Sequence, residues 1–215
     1  MNYYYLLLDL SIITLPILFS ANKHVHFFSN WKSALLASTV IASTFLILGI
    51  IFTSKGILGL NPVHCRGANV AIVPFEEILF FLVTPFSSIF IYENCKYYLR
   101  RWELTWLNRI LILTYTLFSL AMTWYLTVDW YILSLITASG FVLTWWILNK
   151  SLKKIGVTYL ISLLPSYFIY SIIKGSSERG SLDNWSYHFE IIVFSFIVVT
   201  SSILVYEFIQ KRRYR

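Results

Sequence analysis

Long apolar runs, separated by short polar stretches, constrain this chain more than any motif does. Seven such runs occur, at 2–20, 33–52, 71–94, 107–126, 128–148, 155–173 and 187–209. Each holds roughly 20 residues, the length an α-helix needs to cross the hydrocarbon core of a bilayer. Backbone polar groups in lipid must be satisfied within their own segment, so each run is predicted to be a helix. Charge agrees: 13% of the 215 residues are charged and 58% are hydrophobic, where a soluble domain carries about 25% charge. These figures argue against a soluble fold and against a disordered chain. The first run has no basic flank before it and no small-residue cleavage site, so it reads as a retained helix and not a signal peptide. The predicted fold class is an all-α polytopic membrane protein of about seven transmembrane helices.

The formal net charge of +7 would suit a nucleic-acid partner, but its distribution does not. Lys23, Lys32, Lys96, Arg100, Arg101, Arg109, Lys150, Lys153, Lys154, Lys211, Arg212, Arg213 and Arg215 all fall in loops on one side of the predicted spans. Only Lys55, Arg66, Lys174 and Arg179 fall on the other. The positive-inside rule then puts the N-terminus outside and the C-terminus in the cytoplasm. With basicity explained as a topology signal, no nucleic-acid role is expected. Cys65 and Cys95 lie on opposite faces of this topology, so no disulfide joins them.

A shift of 114 residues aligns two of the runs. Phe75, Glu76, Ile78, Phe80, Ser87, Ser88, Ile89, Tyr92 and Glu93 recur as Phe189, Glu190, Ile192, Phe194, Ser201, Ser202, Ile203, Tyr206 and Glu207. Shared hydrophobicity does not explain paired glutamates. The pattern predicts two three-helix repeats, residues 1–95 and 128–215, joined by a linker helix within 96–127. Membrane proteins with internal repeats often build their site at the repeat interface.

Ionisable residues inside a membrane are costly and mark functional candidates. Of the ten acids, Glu93, Glu103, Glu207, Glu178, Asp183 and Asp129 fall at predicted membrane edges or in loops, where solvation explains them. Asp9, Glu76, Glu77 and Glu190 fall inside helices one, three and seven, with Glu76 and Glu77 a turn or so in. All three helices start on the same side, so the four carboxyls share one half of the bilayer. On a helical wheel Glu76, Ser87, Phe80, Thr84, Glu77, Ser88 and Phe81 occupy an arc of about 140°, while Phe75, Ile78, Leu79, Leu82, Val83, Phe86, Ile89 and Phe90 fill a lipid- or core-compatible remainder. Helix seven repeats a reduced version with Glu190, Ser201 and Phe194. A carboxylic acid in dry surroundings favours its neutral form. Such an acid can protonate an alkene, aromatic faces can stabilise the cation, and a second carboxylate can take a proton back. Cross-helix hydrogen bonding explains the spacing equally well.

Other chemistries lack their residues. The eight glycines form no phosphate-binding loop, and no aspartate-rich pair exists for magnesium diphosphate. Helix seven carries no lysine for a retinal Schiff base, and His24, His26, His64 and His188 form no metal signature. No cofactor and no metal are expected.

The string Pro74-Phe75-Glu76-Glu77-Ile78-Leu79-Phe80-Phe81 follows Gly59-Leu60-Asn61-Pro62 and closes with Tyr92-Glu93. Together with the opening Tyr3-Tyr4-Tyr5-Leu6-Leu7-Leu8, and with Pro16 ending the first run, it resembles the lycopene cyclase domain of membrane-integral carotenoid cyclases. The resemblance covers about residues 3–95 well and 155–210 weakly. It implies a cofactor-independent β-cyclase that protonates a polyene end group, closes a ring and loses a proton. By position, Glu76 and Glu77 match the family's acidic pair. On this reading Glu190 and Asp9 assist, and Phe80, Phe81, Thr84, Phe194, Asn61 and Pro74 bind the substrate. The implied partners are a hydrophobic carotenoid and membrane lipid in a bacterial cytoplasmic membrane; a homo- or hetero-oligomer is left open. In the second half, His188-Phe189-Glu190-Ile191 stands where the family carries proline-x-glutamate-aspartate, and Leu48-Gly49 replaces a tryptophan-aspartate pair. A non-catalytic carotenoid- or lipid-binding protein or cyclase subunit is therefore the alternative, and a proton-coupled transporter the third.

Overall fold

The computed structural model describes residues 4–20, 25, 27–54, 69–70, 73–100, 154–164 and 184–213, with isolated helical residues at 106, 110–111, 113–114 and 139–140. Helix α1 spans Tyr4–Ser20. A 3-10 turn, Phe27–Asn30, leads into α2, Trp31–Ser54. Two short strands, β1 at Asn69–Val70 and β2 at Val73–Pro74, precede α3, Phe75–Tyr98. A short apolar helix α4 covers Ile155–Leu164, and α5 spans Asn184–Arg213. Among the described residues, three helical stretches are long and apolar enough to cross a membrane: Phe27–Ile51, Ile78–Tyr98 and Val193–Arg212. The expected runs at 107–126 and 128–148 lie almost wholly outside the described residues.

α3 is the hub, packing against α1, α2 and α5, and α2 also touches α5. This decides the wheel reading of α3 in favour of core. Val83, Phe86 and Ile89, on the arc left for lipid or core, are 1%, 4% and 0% exposed. A helix apolar all round is one enclosed by other helices. α2 turns a stripe of Ser33, Ala34, Ala37, Ser38 and Ile41 inward and leaves Leu35, Leu36, Val40, Ile47, Leu48 and Ile51 exposed. Small residues at three- and four-residue spacing let helix backbones approach closely, which drives association where lipid removes the hydrophobic effect.

α1 runs through Pro16 to Ser20, as the predicted run at 2–20 requires. A helical proline has no N–H for the carbonyl four residues back, which here belongs to Ile12. Ser87 of α3 supplies the missing donor, its hydroxyl lying 3.2 Å from the Ile12 oxygen. Tertiary contact thus supplies the bond that the proline removes. Ser87→Ala should lower stability by about 1 kcal/mol in the native chain, read as melting in detergent. It should be neutral on a Pro16→Ala background, where residue 16 provides its own donor.

The third helix starts at Phe75, not at 71, because the residues before it pair as a ladder with Asn69 opposite Pro74 and Val70 opposite Val73. Glu76 and Glu77 are therefore the second and third residues of α3, within its first turn and not a turn inside it. Exposed amides at a helix N-terminus favour carboxylates there. At the opposite end Lys154 donates to the Leu99 carbonyl at 2.5 Å, capping α3. Cys95, a buried free thiol, hydrogen-bonds with Thr158 of α4, and Tyr159 meets Phe196 of α5 edge-on at 5.2 Å. Cys65 lies outside the described residues.

Glu93 and Glu207 are not edge charges in water. Glu93 is 9% exposed. The Tyr92 hydroxyl donates to Glu207 at 2.8 Å, and Lys96 lies 3.0 Å from Glu207 and 3.6 Å from Glu93. Sequence could not show that the two glutamate-bearing helices pack side by side; once they do, Glu93 is buried and Glu207 half-buried between them.

Candidate functional site

Two buried carboxyls lie toward the N-terminal ends of α1 and α3. Asp9 of α1 is 2% exposed and Glu76 of α3 is 3% exposed. They lie within electrostatic reach of one another. Their depth follows from the helices' register. Asp9 precedes Ile12 on α1 as Glu76 precedes Ser87 on α3, so α1 and α3 run parallel. One turn above the Ser87–Ile12 bond Asp9 stands level with Thr84, and Glu76 lies eight residues, about 12 Å, further along α3. Asp9 Oδ2 and Thr84 Oγ1 are both buried and have no hydrogen-bond partner among the described residues. Nearly all buried polar atoms in proteins are paired, and the exceptions gather where a site handles protons or ligands.

Aromatic rings line the same end. Phe80 sits one turn below Glu76 on the same helix face and contacts Phe81 at 6.2 Å. Phe45 of α2 joins the set: it stacks on Phe81 at 6.1 Å with planes 25° apart, and meets Phe194 of α5 edge-on at 5.3 Å. Three helices thus contribute to one aromatic wall. Pro85, inside α3, removes the helical donor of the Phe81 carbonyl and leaves a polar oxygen at the wall's edge. Ring faces carry partial negative charge and stabilise a cation held over them.

Of the residues singled out from sequence, the structure sets Asp9 within electrostatic reach of Glu76 and level with Thr84, and joins Phe81 to Phe194 through Phe45. Phe80, Phe81, Thr84 and Phe194 are half-buried. Glu77 and Glu190 are placed by backbone alone, third in α3 and seventh in α5; their side chains lie outside the description. Pro74 closes β2 immediately before α3. Asn61 lies outside the described residues.

Sequence reasoning missed Phe45. α2 carries hydroxyls but no acid within its span, so no wheel arc marks Phe45. Depth would have found it: Phe45 is nine residues from the end of α2 and Phe81 six from the start of α3, about 14 and 9 Å at 1.5 Å per residue, which places both in the same bilayer half.

No curated protein and no solved structure matches the chain significantly. Residues 2–95 match the family model described as Lycopene cyclase. That segment contains α1, α2 and nearly all of α3, hence both buried carboxyls. The first half of this apolar, helical chain resembles the lycopene cyclase family, a resemblance that suggests a carotenoid-cyclase type of enzyme.

Proposed function

We propose that the chain is a membrane-embedded carotenoid β-cyclase acting on a lycopene-type end group without net redox change. The observation that carries this reading is the buried Asp9–Glu76 pair, with the unpaired Asp9 and Thr84 oxygens beside it, inside the family-matched segment. One carboxyl of the Glu76–Glu77 pair gives its proton to the terminal double bond, leaving a tertiary carbocation. The neighbouring double bond attacks that cation, closing a six-membered ring and moving the positive charge into it. The second carboxyl takes a ring proton and restores the alkene. Asp9 and Glu190 hold or relay protons, and Phe80, Phe81, Phe194 and Phe45 face the cation. Thr84, Asn61 and Pro74 shape the entry for the polyene end. Atoms and electrons balance with no cofactor, because the proton lost equals the proton gained.

On this reading seven helices form two repeats, 1–95 and 128–215, about a linker helix in 96–127. The N-terminus lies outside a bacterial cytoplasmic membrane and the basic C-terminus inside. The α3–α5 register, with Tyr92 opposite Glu207, supports the 114-residue repeat. A carotenoid-binding subunit without activity is the second reading, favoured by His188-Phe189-Glu190-Ile191 in place of a second proline-flanked acid pair.

Expression in bacteria that accumulate lycopene separates the two. The cyclase converts the red linear pigment into one- or two-ringed carotenes. Membranes holding folded protein and unchanged lycopene would sink the single-chain activity. Unchanged lycopene that co-purifies with the protein would establish the binding subunit instead.

A further inference from the structure

The end of the bundle away from the carboxyl pair holds a second polar assembly that the proposed reaction leaves unused. Tyr92 and Glu93 end one helix of the sequence repeat, and Tyr206 and Glu207 end the other. They pair crosswise. The Tyr92 hydroxyl donates to Glu207 at 2.8 Å. Tyr206 lies within electrostatic reach of Glu93 and accepts from Gln210 Nε2 at 2.7 Å. Lys96 reaches both carboxylates, at 3.0 Å and 3.6 Å. Tyr92 is 3% exposed and Tyr206 0%.

The two crosswise pairs join residues 115 and 113 apart, centred on the repeat offset of 114. Equivalent residues that exchange partners in this way imply an approximate two-fold axis running between parallel helices. Such an arrangement is specific to one register. Sliding α5 by one residue against α3 carries both tyrosines away from both carboxylates, and nothing apolar nearby replaces the lost bonds. Small apolar contacts along the rest of the interface tolerate slippage far better than directional bonds do.

Farther along the same two helices, Phe194 of α5 meets Phe45, and Phe45 stacks on Phe81 of α3. A helix is stiff, so the register fixed at Tyr206 is transmitted to Phe194, twelve residues away. We infer that the reciprocal Tyr92–Glu207 and Tyr206–Glu93 clasp, bridged by Lys96, sets the register of α5 on α3 and so positions Phe194 in the aromatic wall. The four residues are positioning residues, remote from any reacting atom. Their consequence for catalysis rests on the cyclase reading; their consequence for register does not.

Reciprocity provides the test. Tyr92→Glu with Glu93→Tyr, a half-swap, sets glutamate against Glu207 and tyrosine against Tyr206. Adding Tyr206→Glu and Glu207→Tyr restores both unlike pairs with the roles exchanged. Register is read by Phe45→Cys with Phe194→Cys and a short thiol cross-linker, in the full-length chain with Cys65→Ser and Cys95→Ser. Cross-linking should fall about tenfold in the half-swap and recover to at least about half the parent's yield in the full swap, the signature of an energetically coupled set. Equal yields in parent and half-swap, or a full swap no better than the half-swap, would overturn the inference. If the half-swap fails to insert, Tyr92→Phe with Tyr206→Phe removes both hydroxyl donors at nearly constant volume; an unchanged cross-link there overturns it equally. With the native phenylalanines in place, ring product per folded protein should follow the same order. Recovered cross-linking without recovered product would overturn the positioning of the wall. A parent that makes no ring would count against the cyclase and leave the cross-link to decide the clasp.

Discussion

Glu76→Gln should reduce ring formation by about 100-fold or more, the scale of losing a general acid or base, with the protein still inserted and folded. The substitution keeps the side chain's volume and hydrogen-bonding capacity and removes only its proton chemistry. Asp9→Asn should be impaired through the same pair, because the two carboxyls lie within electrostatic reach in a buried setting. The double variant should be little worse than Glu76→Gln alone, since groups that act as a unit are strongly non-additive. Glu103→Gln, in the polar stretch after α3, is the matched control and should retain full activity. The measurement is the ratio of cyclic to linear carotene per unit of membrane-inserted protein. A Glu76→Gln variant with normal product would remove Glu76 from the chemistry. Independent, multiplying losses in the double variant would mean that Asp9 and Glu76 serve separate steps.

Charge was the most readable part of the site. A carboxyl such as Asp9, set among leucines and isoleucines, announces itself because nothing in lipid excuses it. The aromatic wall was half readable. Phe81 shares a helix face with acids and hydroxyls, whereas Phe45 lies in a helix without acids and is chosen only by what packs against it. Helix interiors were legible from length and hydropathy, but their ends were not. α3 begins where a four-residue ladder ends, and α1 survives Pro16 because a serine 75 positions away satisfies Ile12. Both outcomes depend on contacts remote in sequence. The clasp was misread for the same reason. Glu93 and Glu207 stand among basic residues, the usual setting of solvated charge, and only the packing of α3 on α5 shows them as each other's counterparts. The signal was present in the repeat itself, which pairs Tyr92 with Tyr206 and Glu93 with Glu207. An aligned dipeptide of complementary donor and acceptor at a helix end invites crosswise bonding if the two helices touch.

The largest loss of stability is expected from Phe27→Ala. Phe27 opens the 3-10 turn before α2 and is fully buried. Its ring meets Phe86 edge-on at 5.5 Å and Phe90 at 5.3 Å, and Trp31 meets Phe86 from the other side at 5.9 Å. This knot ties the α1–α2 connection to the hub helix. Truncation would leave a cavity that the flanking helices, held by Trp31 and by the small-residue stripe of α2, cannot close. Large-to-small changes of this kind cost about 3–5 kcal/mol, and edge-to-face pairs add about 0.5–1.5 kcal/mol each beyond area. A bilayer offers no hydrophobic drive between helices, so the loss there falls mainly on dispersion contacts, and the lower end, about 3 kcal/mol, is the expected value. For a chain of this size that corresponds to a fall of roughly 10 °C in melting temperature. Phe28 is the internal control. It is the next residue, it touches Trp31 at 5.0 Å, and it is 66% exposed. Phe28→Ala should shift melting by no more than about a quarter as much, because its ring keeps most of its lipid or solvent contact in both states. Reversal of that order, with Phe28→Ala the more damaging, would mean that the turn presents its other face to α3. Phe27→Leu refills most of the volume and should recover about half of the loss. Ring formation should survive in whatever fraction of Phe27→Leu is folded, because Phe86 and Phe90 lie ten and fourteen residues along α3 from Glu76.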